Sequence, residues 1–306
     1  MTRLGVICGG SGSSKFAISL GKYAKEKYDL GFVCNVGDNF WYHGLYVCPD
    51  IDIITYALSG RLDESKGWGL ADDSSRFLKG LKALGFKEWF NLGDEDMALS
   101  VVRTELLRKG HTLSQITQHV SESLGIDFSI MPSTDDNVET YIFTSKGKLH
   151  LQEYWVKLRA SPKVHGVDYF GIRKAVPNPE ALKFLSQSAI ICPANPITSI
   201  LPTLNIPGMR KALKQSKLVA VSPFIGKKLF SGPASKLMRG LGLEPSSFGV
   251  AKLYSGFIKK FLVDKSEDNR QIERISSLDI ECIKCNIRIK GPIDRELIVG
   301  DILNVL

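Results

Sequence analysis

Two patterns in this sequence have the residue types and spacing for phosphate chemistry. Gly9-Gly10-Ser11-Gly12-Ser13-Ser14-Lys15 follows a short apolar run, and a glycine loop in that place offers backbone N–H groups and a helix N-terminus to an anion. It matches neither familiar phosphate fingerprint. The dinucleotide motif needs a third glycine where Lys15 stands, and the Walker A loop needs Gly-Lys-Ser/Thr where this chain reads Ser14-Lys15-Phe16. Carboxylates form the second pattern: Asp38, the pairs Asp50/Asp52 and Asp94/Asp96, and Asp135 with Asp136 fall at the ends of apolar runs or in turns. Magnesium takes one or two such oxygens and completes its shell with water and substrate phosphates, so an oxygen-ligand site is expected rather than a zinc site. Asp50 also reads as the cap of a helix starting near Pro49, and the other acids as turn residues. There is no Gly-x-Ser-x-Gly elbow and no His-Glu-x-x-His, and the five histidines lie at unrelated positions. Group transfer that relies on positioning and charge neutralisation is the chemistry these residues suit.

Such residues need a scaffold. Residues 3–8 and 30–36 are near-continuous apolar runs of the kind that fill a parallel sheet, and the first passes through the glycine loop into helically spaced Phe16 and Leu20. Residues 188–192 and 217–221 repeat the buried-strand pattern, each ending in a proline-containing polar turn. A hairpin is expected from 141–144 and 149–154 across Lys146-Gly147-Lys148. Helical signals at 74–84, 97–109 and 112–124 make residues 60–125 a helix-rich insert or cap. The fold class that follows is α/β, a Rossmann-like, mostly parallel sheet with ligands at the carboxyl ends of its strands. No repeat or low-complexity linker interrupts residues 1–306, which read as one unit.

Composition narrows the partners. A chain of 306 residues with 43% hydrophobic and 24% charged residues is globular. Its net charge of +8 favours anionic ligands. No basic stripe with interleaved aromatics occurs, so nucleic acid is not an expected partner. The N-terminal residues lack the parts of a signal peptide, and the apolar stretch 188–204 is broken by Pro193, Pro196 and Pro202, so no membrane association and a cytoplasmic location are expected. The six cysteines are scattered; Cys282-Ile-Lys-Cys285 has no second pair, and neither disulfides nor a zinc site are expected.

Taken in order, Gly9-Gly-Ser-Gly-Ser-Ser-Lys15, Asn35-Val-Gly-Asp38, Cys48-Pro-Asp-Ile-Asp52, Gly67-Trp-Gly69 and Leu92-Gly-Asp-Glu-Asp96 with Arg103-Thr104 resemble the CofD family. The resemblance continues through Pro132-Ser-Thr-Asp-Asp136, Gln152-Glu153, Pro193-Ala-Asn-Pro-Ile-Thr-Ser199, Val221-Ser-Pro223, Gly232-Pro-Ala-Ser-Lys-Leu-Met238 and Val250-Ala251 with Tyr254. Members of that family are 2-phospho-L-lactate transferases, or phosphoenolpyruvate transferases in some lineages, of coenzyme F-420 biosynthesis. The resemblance implies transfer of a phospholactyl or phosphoenolpyruvyl group from a guanosine diphosphate-activated donor to the terminal ribityl hydroxyl of the deazaflavin Fo, with release of GMP. It implies a Mg²⁺ cofactor, Asp38 and Asp52 as metal ligands and catalytic carboxylates, and Asp52 and Asn91 as contacts to Fo. Gly10, Ser11, Gly12, Lys15, Asn195, Ser222, Gly232 and Lys236 would then hold the donor's phosphates and guanosine. A homodimer is the assembly common among relatives.

The chain departs from many relatives at Asn91, where Arg or Lys is usual, at Asn39 in place of a second Asp, at Leu99-Ser100 in place of Thr-His, and at Pro193-Ala194 in place of Gly-Pro-Ser. Two other readings share parts of the pattern. A regulatory group related to gluconeogenesis factor has a similar glycine loop and binds nucleotide sugars, but the Pro-Asp-x-Asp and Trp-Gly motifs favour the transferase. An NAD-dependent dehydrogenase is disfavoured by the missing third glycine.

Overall fold

The computed structural model describes residues 1–226 and 232–306, and of 228 and 229 the backbone alone. Seven strands form the central sheet: β1 (Thr2–Cys8), β2 (Tyr28–Cys34), β3 (Ser129–Pro132), β4 (Ser188–Ile191), β5 (Lys217–Val221), β6 (Lys260–Asp264) and β7 (Glu281–Cys285). They run in the order β7-β6-β5-β4-β1-β2-β3, and every neighbouring pair is parallel. The chain builds outward from β1 to β3, then returns to β1's other side to lay down β4. The order therefore reverses between β1 and β4, the position where an open α/β sheet leaves a crevice for ligands.

Burial explains why these runs are strands. From Leu4 to Cys8 and from Leu30 to Cys34 every residue is buried, as expected where helices cover the sheet. Gly5 lies opposite Gly31 in the β1–β2 register. A Cβ on Gly5 would sit 2.7 Å from Leu185 Cδ2, and one on Gly31 2.5 Å from Phe184 Cγ, so the two glycines form the trench that admits the helix Pro179–Leu185. One apolar core runs from Leu4 to Ile302, and a smaller cluster of Phe40, Tyr42, Val47, Leu92 and Met97 stands apart from it.

Helix α1 (Gly10–Tyr23) follows the glycine loop directly, and α2 (Pro49–Leu58) begins on the proline, with Asp50 and Asp52 in its first turn. Within residues 60–125 three helices appear, α3 (Arg76–Ala83), α4 (Asp94–Arg108) and α5 (Leu113–Ser123). Residues 60–75 are turns, joined by the isolated bridge Leu62–Leu70. Helix α4 starts three residues earlier than the apolar spacing predicts, because Asp94, Glu95 and Asp96 occupy its first turn and suit the positive end of the helix. The cap of α5 is Thr112, exchanging hydrogen bonds with Gln115.

The expected hairpin is present between Glu139–Thr144 and Gly147–His150, with Val164–Phe170 on its other side. Its second strand stops at His150 instead of continuing to Tyr154. Leu151 and Tyr154 are both buried at helical spacing, and the chain turns into a helical segment that ends in the π-helical turn Glu153–Lys157. All six cysteines are free, and among the described residues no helix is long and apolar enough to cross a membrane.

Candidate active site

A cleft of about 760 Å³ opens at the carboxyl ends of β1 and β4. One end is built for an anion. Gly9 to Gly12 line it, and Gly10 takes φ +66, a conformation that favours glycine. Ser13 Oγ accepts from Gly9 N at 3.1 Å and donates to its carbonyl at 2.9 Å, tying down the loop without covering the N–H groups of the first helical turn. The N-cap residue offers no side chain and no acid lies in the first turn of α1; the Gly10 N–H meets the Asp50 carboxylate, and the N–H groups after it are left for a ligand. The loop after β4 packs close: a Cβ on Gly12 would meet the Pro193 carbonyl at 2.5 Å. Asn195 Oδ1 accepts from Ile197 N and Thr198 N, which starts the following helical turn and places Thr198 and Ser199 in the cleft.

Beside this end stand two buried carboxylates. Asn35 Nδ2 donates to Asp38 Oδ1 and to Asp50 Oδ2, each at 2.8 Å, while Asn35 Oδ1 accepts from Gly37 N. Burial, then the charge of Asp50, pushes the Asp38 carboxyl well above the usual carboxylate range. Asp50 is pushed up to about 6 by burial, against the opposing pull of Asn35, Gly10 N–H and Ser199. Neither forms an ion pair among the described residues. Two acidic groups without a counter-charge, next to a phosphate loop, suit a divalent cation. Among the described residues no group of three or more metal-binding side chains exists. The pair therefore fits Mg²⁺ completed by water and phosphate oxygens rather than a metal caged by protein.

Deeper along the cleft, Asp52 is claimed by Arg103. The two are buried and paired through both guanidinium Nη atoms, and Arg103 also donates to the Tyr46 carbonyl at 3.1 Å. Asp96, at the start of α4, accepts from Gly93 N at 3.2 Å and has no guanidinium. Burial raises it to about 6; the charge of Asp52 adds to the rise and the nearby Tyr56 hydroxyl opposes it. That hydroxyl lies close to Asp96 without a well-formed hydrogen bond. Three aromatic side chains also line the cleft, Trp68, Phe90 and Trp155, with Asn91 between Phe90 and Leu92. Trp68 stands between Gly67 and Gly69, both at positive φ, on a loop closed by Asp63 N to the Gly69 carbonyl.

The 2-phospho-L-lactate transferase CofD family model matches residues 5–291. The chain belongs to the CofD family. It is 38% identical over 274 residues to the 2-phospho-L-lactate transferase of Methanosarcina mazei, covering 88% of this chain and 90% of that one. It is 34% identical to the enzyme of the same name from Methanospirillum hungatei, covering 98% and 99%. It is also 34% identical to the phosphoenolpyruvate transferase of Streptomyces griseus, covering 92% and 91%. A Bacillus halodurans protein of the upf0052 family has the same fold, with a TM-score of 0.65 at 14% identity over 99% of this chain and all of that one.

In this CofD chain the cleft gathers Gly10, Ser11, Gly12, Asp38, Asp52, Asn91, Asn195 and Gly232 from the residues singled out by sequence. Three others do not line it. Lys15 lies further along α1, beyond the loop. Ser222 is buried, paired with Ser247 at 2.9 Å and accepting from Phe224 N. Lys236 Nζ donates to the Ala160 carbonyl at 2.9 Å. The carboxylate that shares Asn35 with Asp38 is Asp50, whereas Asp52 is engaged by Arg103. Sequence reasoning passed over Asn35, Tyr56, Trp155 and Arg159 as site residues. Asn35 sat inside a motif already singled out, whereas Trp155 and Arg159 follow Gln152-Glu153 without any spacing signal of their own.

Proposed function

We propose that this CofD-family transferase moves a phospholactyl or phosphoenolpyruvyl group from a guanosine diphosphate-activated donor to the terminal ribityl hydroxyl of Fo, forming the core of coenzyme F-420. The observation that carries this reading is the mixed lining of one cleft. A glycine loop and an unpaired carboxylate pair suit a diphosphate, and the aromatic side chains suit a flat fused ring. The donor's phosphates lie against Gly10 to Gly12, and Fo lies towards Trp68, Phe90 and Trp155. Asp38 and Asp50 hold Mg²⁺, which when bound supplies charge neutralisation on the phosphates. The acceptor oxygen forms a new bond to the phosphorus bearing the three-carbon acid, and the bridging P–O bond breaks with its electrons leaving on GMP.

Asp96 takes the hydroxyl proton. It is the carboxylate in the acceptor half without a cationic partner, and its pKa of about 6 leaves it ionised but basic at neutral pH. Activity is expected to rise as pH passes about 6, when Asp96 loses its proton. Asp96→Asn should lower kcat about a hundredfold and flatten that limb. An unchanged limb in the variant assigns the proton elsewhere.

Asn91 gives a test of acceptor placement. It is exposed and lines the cleft. Asn91→Arg adds a charge-assisted donor, and such bonds contribute about 1.5–3 kcal/mol when well placed. Fluorescence titration with Fo should show tightening of about tenfold or more. No change in either Asn91→Arg or Asn91→Ala shows that Fo does not reach this residue. The overall reading is tested by incubating the protein with Fo, Mg²⁺ and each activated donor and reading products by mass spectrometry. Absence of any Fo adduct with every donor overturns it.

A further inference from the structure

Arg159 is a cationic cleft residue without an anionic partner. Among the described residues two basic side chains line the cleft, Lys66 and Arg159. Lys66 is paired with Asp63 at 2.6 Å, whereas Arg159 forms no ion pair among the described residues. Its backbone is unusual as well: Arg159 and Ala160 take φ of +50 and +47, a left-handed conformation uncommon for residues other than glycine and held only where surrounding contacts impose it. Two hydrogen bonds hold Ala160 in this turn. The Ala160 N–H donates to the Tyr154 carbonyl at 2.8 Å, and the Ala160 carbonyl accepts from Lys236 Nζ at 2.9 Å.

Those contacts also set the Arg159 turn beside the segment that carries Gly232. Lys236 lies in the first turns of the helix Ala234–Gly240, directly after the cleft residues Gly232 and Pro233. A Cβ on Gly232 would be 3.8 Å from Asn195 Nδ2, and the loop carrying Asn195 packs on Gly12 through the Pro193 carbonyl. The chain of neighbours thus runs from Arg159 through Lys236 and Asn195 to the glycine loop. We propose that Arg159 is the side chain that binds the diphosphate of the nucleotide donor, and that Lys236 acts as its positioning residue by holding the left-handed turn. A planar guanidinium matches two phosphate oxygens at once, and the glycine loop supplies N–H dipoles but no full positive charge. Lys236, expected from sequence to touch the donor itself, then acts one step removed. The inference deepens the proposed function, since the anion is the donor's diphosphate.

The test is calorimetric titration with GDP, and with guanosine as the uncharged control, in Mg²⁺-containing buffer. Arg159→Ala should weaken GDP by about ten- to a hundredfold, leave guanosine unchanged, and shift Fo affinity by less than about threefold. Arg159→Lys should recover only part of the loss. Lys236→Met should weaken GDP in the parent chain but add nothing in the Arg159→Ala background, because its effect passes through Arg159. A purely structural lysine would weaken both backgrounds equally, and that result overturns the positioning role. GDP affinity within threefold of the parent in a folded Arg159→Ala variant, checked by thermal melting, overturns the arginine's role, and Arg159→Gln repeats that check if the alanine variant melts early. A parent chain that binds GDP through Arg159 yet makes no Fo adduct upholds this inference and overturns the transfer reaction; a parent that binds neither GDP nor pyrophosphate overturns both.

Discussion

Asp38→Asn is expected to cut turnover by about a thousandfold or more while raising thermal stability in magnesium-free buffer. The two effects have one cause. Asp38 and Asp50 are buried, share one amide of Asn35, and have no cationic side chain against them among the described residues. Without a cation their repulsion and desolvation work against the fold, so removing one charge relieves it. Asparagine keeps an oxygen for Asn35, and the Gln152 amide, 3.4 Å from the other carboxylate oxygen, can turn to meet the new NH₂. On the proposed function the variant loses a negative charge that would hold Mg²⁺, and charge neutralisation of a transferring phosphate contributes several kcal/mol, with each 1.36 kcal/mol a factor of ten. Added Mg²⁺ should raise the melting temperature of the parent chain and leave that of the variant nearly unmoved. Parent-like turnover in Asp38→Asn at ordinary Mg²⁺ would sink the assignment of this pair to the metal.

The central sheet was legible because burial leaves a one-dimensional trace. Strands covered on both faces read as unbroken apolar runs, and 217–221 coincides with β5 to the residue. The glycine loop was legible for a similar reason, since close approach to the β4 loop and a positive φ at Gly10 both demand glycine. Strands β3, β6 and β7 were not legible. Ser129-Ile-Met-Pro132 has two apolar residues before its proline, Lys260-Phe-Leu-Val-Asp264 has three between charged ones, and Glu281-Cys-Ile-Lys-Cys285 at the sheet edge is half exposed, so none shows a long apolar run.

Partner choice was not legible. Asp50 and Asp52 are two residues apart on the first turn of α2, about 200° around a helix of 3.6 residues per turn. They face different neighbours, Asn35 on one side and Arg103 on the other. Sequence shows that two acids are close along the chain; it does not show that they point apart, nor that an arginine fifty-one residues away claims one of them. The partner of Lys236 was hidden in the same way. A lysine beside a glycine-proline motif shows no sign in composition or spacing that its ammonium donates to the Ala160 carbonyl in a left-handed turn.

Arg103 is buried against Asp52, and its replacement has the largest expected effect on stability. Arg103→Met should destabilise the chain by about 3–5 kcal/mol, because the buried Asp52 carboxylate is left without its counter-charge. Part of that loss is the freed Tyr46 carbonyl, which accepts from the same guanidinium. Urea unfolding measures it, with a lower midpoint and an unchanged slope. The double variant Arg103→Met, Asp52→Leu separates the pair's two roles. Replacing both charged partners by apolar side chains of similar size is often neutral or stabilising, so most of the stability should return. If Asp52 also contacts Fo, that variant folds yet binds Fo weakly, and a stable double variant with parent-like Fo affinity would make the Arg103–Asp52 pair a structural tie alone. A single variant losing less than about 1 kcal/mol would mean that solvent reaches Asp52 freely, contrary to the burial on which the pairing argument rests.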